Sequence, residues 1–217
     1  MAQTPKGLLS AQNVASVRGE RTLFSALNLQ VNSGEIWQIQ GPNGAGKSSL
    51  LRILAGLLPP QSGSVCFQGE AIEHNRSAYH QELLFLGHKA GVKPELTAIE
   101  NLDFFASVQG HVQGRGLQEP PYELLANVGL VGLEDIPAQR LSAGQQRRIA
   151  LARLWLSNAK LWILDEPFTS LDVHGIELLH ERFQWQVARG GAIVMTSHQA
   201  LNHLPIALQT LVLEYQH

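Results

Sequence analysis

The chain has 217 residues, 44% of them apolar, which is enough to bury a substantial core within one domain. Its formal net charge is −2 and its lysines and arginines are scattered, so the composition argues against a surface that binds nucleic acid. The sequence has a single cysteine, Cys66, and no apolar window of membrane-spanning length, which excludes an intrachain disulfide and leaves any membrane role to a partner.

The opening of the chain is predicted to consist of strands. Residues 8–17 and 27–31 have the composition of short strands, and the turn-forming residues 18–21 lie between them. Residues 35–40 alternate polar and apolar side chains, which predicts a third strand.

A glycine-rich segment follows this third strand and has the Gly-x-x-x-x-Gly-Lys-Ser spacing of a phosphate-binding loop. Glycines bring backbone N–H groups close to an anion, and the helix that begins here directs its positive end toward the same anion. We expect this helix to continue through Leu58 and to stop at Pro59. Lys47 is predicted to reach the β and γ phosphates, and Ser48 to offer its hydroxyl to Mg²⁺. The residues predicted to bind the nucleotide are Gly41, Pro42, Asn43, Gly44, Ala45, Gly46, Lys47, Ser48 and Ser49.

The middle of the chain changes from strands to helices. Residues 63–69 and 82–86 are predicted strands. Thr97 and Glu100 then have the spacing of a capping box, and the apolar residues that follow repeat with a helical period. Three glycines and two prolines within residues 110–121 are expected to end that helix. Further helices are predicted at residues 122–128 and after Ser142.

Strands and helices alternate again toward the end of the chain. Strands are predicted at 161–164, 192–196 and 210–213, with a helix at 173–188. The pattern predicts an α/β fold: a mixed sheet core with an antiparallel β subdomain and a helical insertion subdomain. We expect residues 1–217 to form a single domain, with a core at about 1–86 and 157–217 and a helical subdomain at about 95–156.

Two acidic residues end the apolar strand at 161–164. Asp165 is predicted to hold Mg²⁺ through water beside Ser48. Glu166 is predicted to lie near the γ phosphate as the general base that orients and deprotonates the attacking water. An acidic surface turn is the alternative for this pair alone, but the complete phosphate loop upstream favours a catalytic pair.

A second anion site is predicted where the helix after Ser142 begins. Ser142, Gly144 and Gln145 place a serine cap and a glycine at that helix end, although the pattern alone is more often a plain cap. One nucleotide cannot use two sites on separate subdomains, so we expect a homodimer in which two chains face head to tail. Ser142, Gly144 and Gln145 would then contact the nucleotide of the partner chain, and Asp172 would lie at the seam against the partner's phosphate loop.

One histidine is a candidate catalytic residue. His198 follows the predicted strand 192–196 and is expected beside Glu166, where its ring can hydrogen-bond the γ phosphate. A loop histidine without a role is the alternative. The remaining histidines and Cys66 show no metal-ligand spacing.

Five ordered motifs of the chain resemble those of the ATP-binding-cassette ATPases. They are residues 41–48 (phosphate loop), 141–145 (signature), 161–166 (acidic strand), 170–172 and His198. The resemblance covers essentially the whole chain and implies a P-loop NTPase of this type, with ATP and Mg²⁺ as cofactors. It also implies that Lys47, Glu166 and His198 are the catalytic residues.

A narrower resemblance is to the ATP-binding subunit of the bacterial cytochrome c maturation system. It lies in residues 86–93, 95–102, 141–148, 150–156 and 161–169. It implies an ATPase on the cytoplasmic side of the bacterial inner membrane, peripheral and bound to integral membrane subunits of a cytochrome c maturation complex. ATP hydrolysis would drive haem export or the release of a haem-loaded chaperone. No nucleic acid partner is expected, haem is not expected to bind this chain directly, and residues 87–101 are our hypothesis for the docking surface.

Two positions depart from the family pattern. Most cassette ATPases have a glutamine near Mg²⁺ in the loop after the strand that here ends at Leu86, where this chain has His88 and Lys89. His88 is therefore a candidate contact to a metal-bound water, whereas a charged Lys89 cannot be a ligand. Most relatives also stack an aromatic ring on adenine where this chain has Arg18, whose guanidinium can stack instead.

Two other functions fit a nucleotide-binding chain. A soluble cassette ATPase of translation or DNA repair usually has paired cassettes, a long coiled-coil insertion or basic surfaces, and this sequence shows none of them. A non-catalytic clamp, in which ATP only locks the dimer, is disfavoured by Glu166 and His198. We therefore predict a transport ATPase that dimerises on binding ATP and separates after hydrolysis.

Overall fold

The computed structural model describes residues 7–89, 91–108, 120–197 and 207–215. Its internal contacts divide the chain into two units: the first is Met1–Phe85, Ala159–Glu166 and Gln184–His217, and the second is Leu86–Asn158 and Pro167–Phe183. The strands of the described residues are β1 (Leu9–Arg18), β2 (Arg21–Val31), β3 (Ile36–Gln40), β4 (Ser62–Phe67), β5 (Glu70–Ala71), β6 (Leu83–Leu86), β7 (Leu161–Asp165), β8 (Ala192–Thr196) and β9 (Leu208–Val212). The helices are α1 (Lys47–Leu54), α2 (Arg76–Gln81), α3 (Ala98–Val108), α4 (Pro121–Asn127), α5 (Ala143–Leu156) and α6 (Val173–Ala188), with a 3-10 turn at Ala138–Arg140.

One sheet of the first unit is antiparallel, with the strand order β2-β1-β4-β5. The hairpin between β1 and β2 turns through Gly19 and Glu20, and Arg18 pairs with Arg21 directly beside the turn. Because the ladder continues into the β-forming residues after the turn, β2 begins at Arg21 and not at Leu27, where the sequence predicted it. The predicted antiparallel β subdomain is confirmed.

The second sheet has the order β6-β7-β8-β3-β9, and β3, β7, β8 and β9 run parallel. Strands β7 and β8 are buried along their whole length, as expected for central strands of a parallel sheet. Parallel strands end at the same edge of a sheet, so the segments that follow β3, β7 and β8 meet there. Together with the antiparallel sheet and the helices, this confirms the predicted α/β fold with a mixed sheet core.

Helix α1 is shorter than its leucine pattern predicted. It ends at Leu54, and Leu57 is 54% exposed. Gly56 takes a φ of +70° and donates its N–H to the Ile53 carbonyl, while the Leu57 N–H bonds the Arg52 carbonyl. This is a Schellman turn, which ends the helix before Pro59 can do so. The short elements β5 and α2 had no counterpart among the sequence-based predictions.

The second unit has its own apolar core, formed by α3, α4 and α5 around Leu102, Leu125 and Ile149. The capping box predicted before α3 is present, because Thr97 N–H bonds the Glu100 carboxylate and Glu100 N–H bonds the Thr97 hydroxyl. Within the described ranges, no helix combines the length and the apolar character that crossing a membrane requires.

Candidate functional site

The phosphate-loop segment lies between a buried strand and a helix, as the sequence predicted. Strand β3 leads into Gly41, and α1 begins at Lys47. Gly46 precedes α1 in a left-handed conformation with a φ of +100°, and no side chain caps the helix. The first N–H groups of α1 are therefore directed toward the loop without a side-chain cap, which is the geometry of an anion site.

The ammonium group of Lys47 is held over this loop. Its Nζ atom donates to the carbonyl of Gly41 at 2.7 Å and to that of Pro42 at 3.2 Å. The first of these bonds spans six residues and closes the loop on itself. A positive charge thus lies beside the first backbone N–H groups of α1, and both favour an anion at this place.

Gly41 is required by close backbone packing. Its φ is +141°, and a Cβ at this position would overlap the carbonyl oxygen of Leu213. Leu213 follows β9, and its N–H bonds the carbonyl of Gln40 at 2.8 Å. The C-terminal segment therefore runs directly alongside the start of the phosphate loop.

The acidic pair at the end of β7 is organised by Thr196, a residue that the sequence analysis did not single out. Thr196 ends β8 and pairs with Asp165 in the sheet. Its buried hydroxyl donates to Asp165 Oδ1 at 2.7 Å and accepts from the Glu166 N–H at 2.9 Å. Glu166 has a φ of +53°, unusual for a residue with a side chain and typical of functional sites. A polar residue at the end of an apolar strand was the only signal in the sequence.

The sheet order places the phosphate loop and the acidic pair at one edge. Strand β8 lies between β3 and β7, and Thr196 pairs with Ile39 on one side and Asp165 on the other. Two strand spacings separate the backbones of β3 and β7 by roughly 10 Å. A phosphate chain with its cation is long enough to fill that separation.

The oxygen atoms at this edge fit Mg²⁺. Ser48, at the start of α1, has an exposed hydroxyl, and Asp165 has a carboxylate oriented by Thr196. Mg²⁺ is usually held by one or two protein oxygens together with phosphate and water oxygens, so a larger cluster of ligands is not needed. Among the described residues, no group of three or more His, Cys, Asp or Glu side chains has the arrangement of a metal site.

His198 lies outside the described residues, so its predicted place beside Glu166 stays a prediction. The residue before it, Ser197, ends the described part of this segment. Its carbonyl accepts a hydrogen bond from the buried side chain of Gln38 at 3.1 Å. The end of β8 is thus bonded to β3 by the Gln38 side chain as well as by the backbone hydrogen bonds of the sheet.

In the second unit, the start of α5 has the predicted cap. The Ser142 hydroxyl accepts the Gln145 N–H at 3.2 Å, and the Gln145 side chain accepts the Ser142 N–H at 2.9 Å. Gly144 lies close to the Ser170 backbone, because a Cβ there would be 2.9 Å from the Ser170 carbonyl oxygen. The signature segment and the segment that precedes α6 are therefore in backbone contact.

Asp172 has two hydrogen-bond donors in its own chain. Its Oδ1 accepts the Gly175 N–H at 2.8 Å, which caps α6, and it pairs with Arg148 at 2.7 Å. The Gly175 N–H and then the Arg148 guanidinium hold the pKa of the Asp172 carboxyl below its usual range. Sequence analysis missed Arg148, because nothing in the spacing of the two residues indicates that they meet.

His88 and Arg18, at the two positions that depart from the family pattern, are both exposed. The loop of His88 is anchored one residue earlier, where Arg147 Nη1 donates to the Gly87 carbonyl at 3.0 Å. Arg18 ends β1 beside the hairpin turn. Neither position has a described contact that assigns it a ligand.

The chain is similar to known proteins over nearly all of its length. Residues 24–169 match the protein family described as ABC transporter. The cytochrome c biogenesis ATP-binding export protein CcmA of Idiomarina loihiensis is 51% identical over 219 residues, covering 100% of this chain and 97% of that protein. The CcmA of Haemophilus influenzae is 56% identical over 191 residues, covering 88% and 89% of the two chains. The CcmA of Escherichia coli K12 is 51% identical over 196 residues, covering 90% and 91%.

Solved structures with the same fold are more distant in sequence. An ATP-binding subunit of an ABC transporter superposes with a TM-score of 0.83 at 24% identity, covering 97% of this chain and 88% of that one. An ATP-binding cassette solved as a dimer bound to ADP and Pi gives a TM-score of 0.79 at 24% identity, covering 96% and 97%. These likenesses confirm the predicted cassette fold, and the identities to the curated relatives define the family more narrowly. The chain belongs to the ABC transporter family and, within it, to the cytochrome c biogenesis ATP-binding export proteins CcmA.

Proposed function

We propose that this chain is the ATP-hydrolysing subunit of a membrane ABC complex for cytochrome c maturation. The observation that carries the proposal is the shared sheet edge, where the Lys47 loop and the Thr196-bridged acidic pair lie one strand apart. A triphosphate fits between them with its γ phosphate toward the acids. The names of the curated relatives supply the cytochrome c context, and haem export, or release of a haem-loaded chaperone, is the corresponding cargo step.

The loop between β3 and α1 would bind the nucleotide. The backbone of residues 41–49 would surround the phosphates. Lys47 would replace its hydrogen bonds to the loop carbonyls with hydrogen bonds to the β and γ phosphate oxygens. Ser48 and Asp165 would hold Mg²⁺, which neutralises charge on the phosphates. Since the bonds of Lys47 to Gly41 and Pro42 already place its ammonium over the loop, little rearrangement is required.

Hydrolysis requires an oriented water and a base. Glu166 would accept a proton from the water that attacks the γ phosphate. Its backbone N–H is bonded to Thr196 and its backbone is in the left-handed conformation, so the backbone that carries the carboxylate is positioned before the ligand binds. His198 would hydrogen-bond the γ phosphate from the segment that follows β8.

We further propose that ATP joins two copies of the chain head to tail. Ser142, Gly144, Gln145 and Asp172 would contact the nucleotide site of the partner. The capping box uses the Ser142 oxygen as an acceptor, and its O–H remains a donor for a phosphate oxygen. The start of α5 adds backbone N–H groups and the positive end of the helix dipole.

The membrane role is proposed to come through integral partner subunits on the cytoplasmic side of the bacterial inner membrane. Residues 87–101 remain the candidate docking surface. Asn101, fully buried, bonds both the N–H and the carbonyl of Lys93. The Lys93 ammonium lies 4.4 Å from the ring centre of Phe104, which is 38% exposed. A cation and an aromatic ring are thus presented at a fixed place. Charge reversal at Lys93 and Glu95 is expected to reduce membrane recruitment, and unchanged recruitment would count against this surface.

The experiment that tests the proposed activity compares the wild type with Glu166→Gln. The variant should keep Mg-ATP affinity, lose at least 100-fold in turnover and accumulate as an ATP-bound dimer, measured by phosphate release and light scattering. Glu177→Gln, at an exposed carboxylate on α6, is the matched control and should leave turnover unchanged. Unaltered turnover in Glu166→Gln would show a nucleotide-gated clamp instead of an ATPase.

A second experiment tests the cytochrome c context. Affinity purification from bacterial membranes of a strain that carries a tagged copy should recover integral membrane subunits, and cells with Glu166→Gln as their sole copy should lose covalent haem from c-type cytochromes. Normal haem attachment in those cells would contradict the proposal. Stimulation of hydrolysis by RNA or DNA would favour a soluble cassette ATPase.

A further inference from the structure

Two side chains from outside the region that matches the ABC transporter family lie at the phosphate loop, and one of them bonds it. The Tyr215 hydroxyl donates to the Asn43 carbonyl at 2.5 Å, across 172 residues of sequence. The Arg21 guanidinium lies over the Tyr215 ring, 4.9 Å from its centre. Arg21 Nη1 is also 4.0 Å from the position that a Cβ would take on Gly44. The family match spans residues 24–169, and neither residue is among the motifs that carry the resemblance to the cassette ATPases.

The C-terminal segment is held in register with the phosphate strand up to this contact. Leu213 N–H bonds the Gln40 carbonyl, and the Leu213 carbonyl lies against Gly41. Two residues later, Tyr215 reaches Asn43. The segment thus follows the chain from the end of β3 into the loop, so the Tyr215 bond continues an ordered set of contacts.

The hydrogen bond sets the direction of one peptide group. In a trans peptide the carbonyl and the following N–H point in opposite directions. Tyr215 draws the Asn43 carbonyl toward the C-terminal segment, and the Gly44 N–H of the same peptide is directed to the other side. An N–H group that is already directed at the anion loses less conformational entropy when the anion binds.

Arg21 supports this arrangement in two ways. Its planar guanidinium stacks on the ring of Tyr215, which restricts the rotamers of both side chains. Its charge lies near Gly44, where it adds to the positive potential of the loop.

We infer that Arg21 and Tyr215 form a clasp that positions the Asn43–Gly44 peptide for the phosphates of a nucleoside triphosphate. The inference rests on the proposed nucleotide site and adds two positioning residues to it. It makes ATP affinity depend on the C-terminal segment of the chain and on the hairpin between β1 and β2.

The test compares Tyr215→Phe with the wild type in Mg-ATP binding and hydrolysis. The variant keeps the ring for Arg21 and loses only the hydroxyl, so we expect a Kd and a KM about three- to tenfold higher with a kcat within about twofold of the wild type. Tyr215 is 43% exposed, so the melting temperature of the ligand-free protein should not change. Tyr122→Phe, at an exposed tyrosine of α4, is the matched control.

Arg21→Gln should weaken ATP binding as well, and its effect should shrink between 0.05 and 0.5 M salt because the guanidinium acts in part through its charge. Equal ATP affinity in Tyr215→Phe and the wild type overturns the clasp, as does an equal loss in Tyr122→Phe. A wild type that binds no ATP would instead overturn the proposed nucleotide site, so the two failures are distinguishable.

Discussion

Arg148 on α5 pairs with Asp172 at the start of α6, with 2.7 Å between Nη2 and Oδ1. Arg148 also donates to the Val128 carbonyl at 2.9 Å. One guanidinium therefore bonds both the residue that follows α4 and the residue that precedes α6. Gly144, one helical turn before Arg148, meets Ser170 on the same face of α5. The two segments that we propose to face a partner chain are therefore positioned by each other.

Acid should remove the contribution of Asp172 to stability. The folded-state pKa of Asp172 lies below its usual value, so its bonds to Gly175 and Arg148 stabilise the fold above about pH 4 and are lost as the pH falls through the lowered pKa. Asp172→Asn keeps a helix cap and loses the charge, so its melting temperature should be lower than that of the wild type near pH 6 and converge with it near pH 2. Thermal unfolding between pH 2 and 7 measures this difference.

Asp103→Asn, at an exposed position on α3, is the control for the loss of one carboxylate. It should show no pH-dependent difference from the wild type. A gap between wild type and Asp172→Asn that persists at pH 2 would show that the carboxylate charge is not what matters.

Gly144→Ala should disturb the contact between α5 and the Ser170 segment. The added methyl group would lie 2.9 Å from the Ser170 carbonyl oxygen, and since this atom belongs to the backbone, one of the segments must shift. Alanine also favours helix by about 1 kcal/mol, so global stability should change little. We expect at least a tenfold loss in ATP turnover, measured at saturating Mg-ATP. Ala143→Ser at the neighbouring exposed position should retain activity, and full activity in Gly144→Ala would show that the two segments adapt freely.

Thr196→Val tests the hydroxyl of Thr196, because valine lacks it and has nearly the same side-chain volume. The variant removes one hydrogen bond from Asp165 and one from the Glu166 N–H inside the buried sheet edge. We expect a loss of about 1–3 kcal/mol in the free energy of unfolding and a 10- to 100-fold loss of turnover. Urea unfolding and phosphate release measure the two effects.

Thr196→Ser retains the hydroxyl and is the matched control. It should recover most of the activity even if the lost methyl group costs some stability. If Ser and Val reduce turnover equally, packing at this position, and not the hydroxyl, controls the acidic pair.

Asn101→Ala should destabilise the second unit strongly. The buried Asn101 side chain accepts the Lys93 N–H and donates to the carbonyls of Lys93, Leu96 and Thr97. Without it, the buried loop loses the acceptor of the Lys93 N–H, and each of the three carbonyls keeps only its backbone donor. We expect a loss of about 2–4 kcal/mol in the free energy of unfolding. Gln139→Ala, at an exposed side chain, should change stability by no more than about 0.5 kcal/mol in the same urea titration. A similar stability for both variants would contradict the anchoring role of Asn101.

The sequence by itself determined the elements whose signals are local. The spacing of Gly41, Gly46 and Lys47 predicted the loop, and the caps at Thr97 and Ser142 are present as predicted. Each of these depends on residues a few positions apart, where hydrogen bonds and backbone angles follow directly from residue type. The end of α1 shows the limit of local pattern, because Gly56 ended a helix that the leucines alone would have continued.

The tertiary structure decided which distant side chains meet. Thr196 reaches Asp165 because β8 lies beside β7, Arg148 reaches Asp172 because α5 packs beside the start of α6, and Tyr215 reaches Asn43 because β9 pairs with β3. No periodicity or spacing records these neighbours, since they depend on strand order and helix packing. Local chemistry therefore specified a phosphate loop and an acidic strand, and the order of the parallel strands brought them to one edge of the sheet, because burial of the apolar strands on both faces leaves only their ends free to carry polar groups.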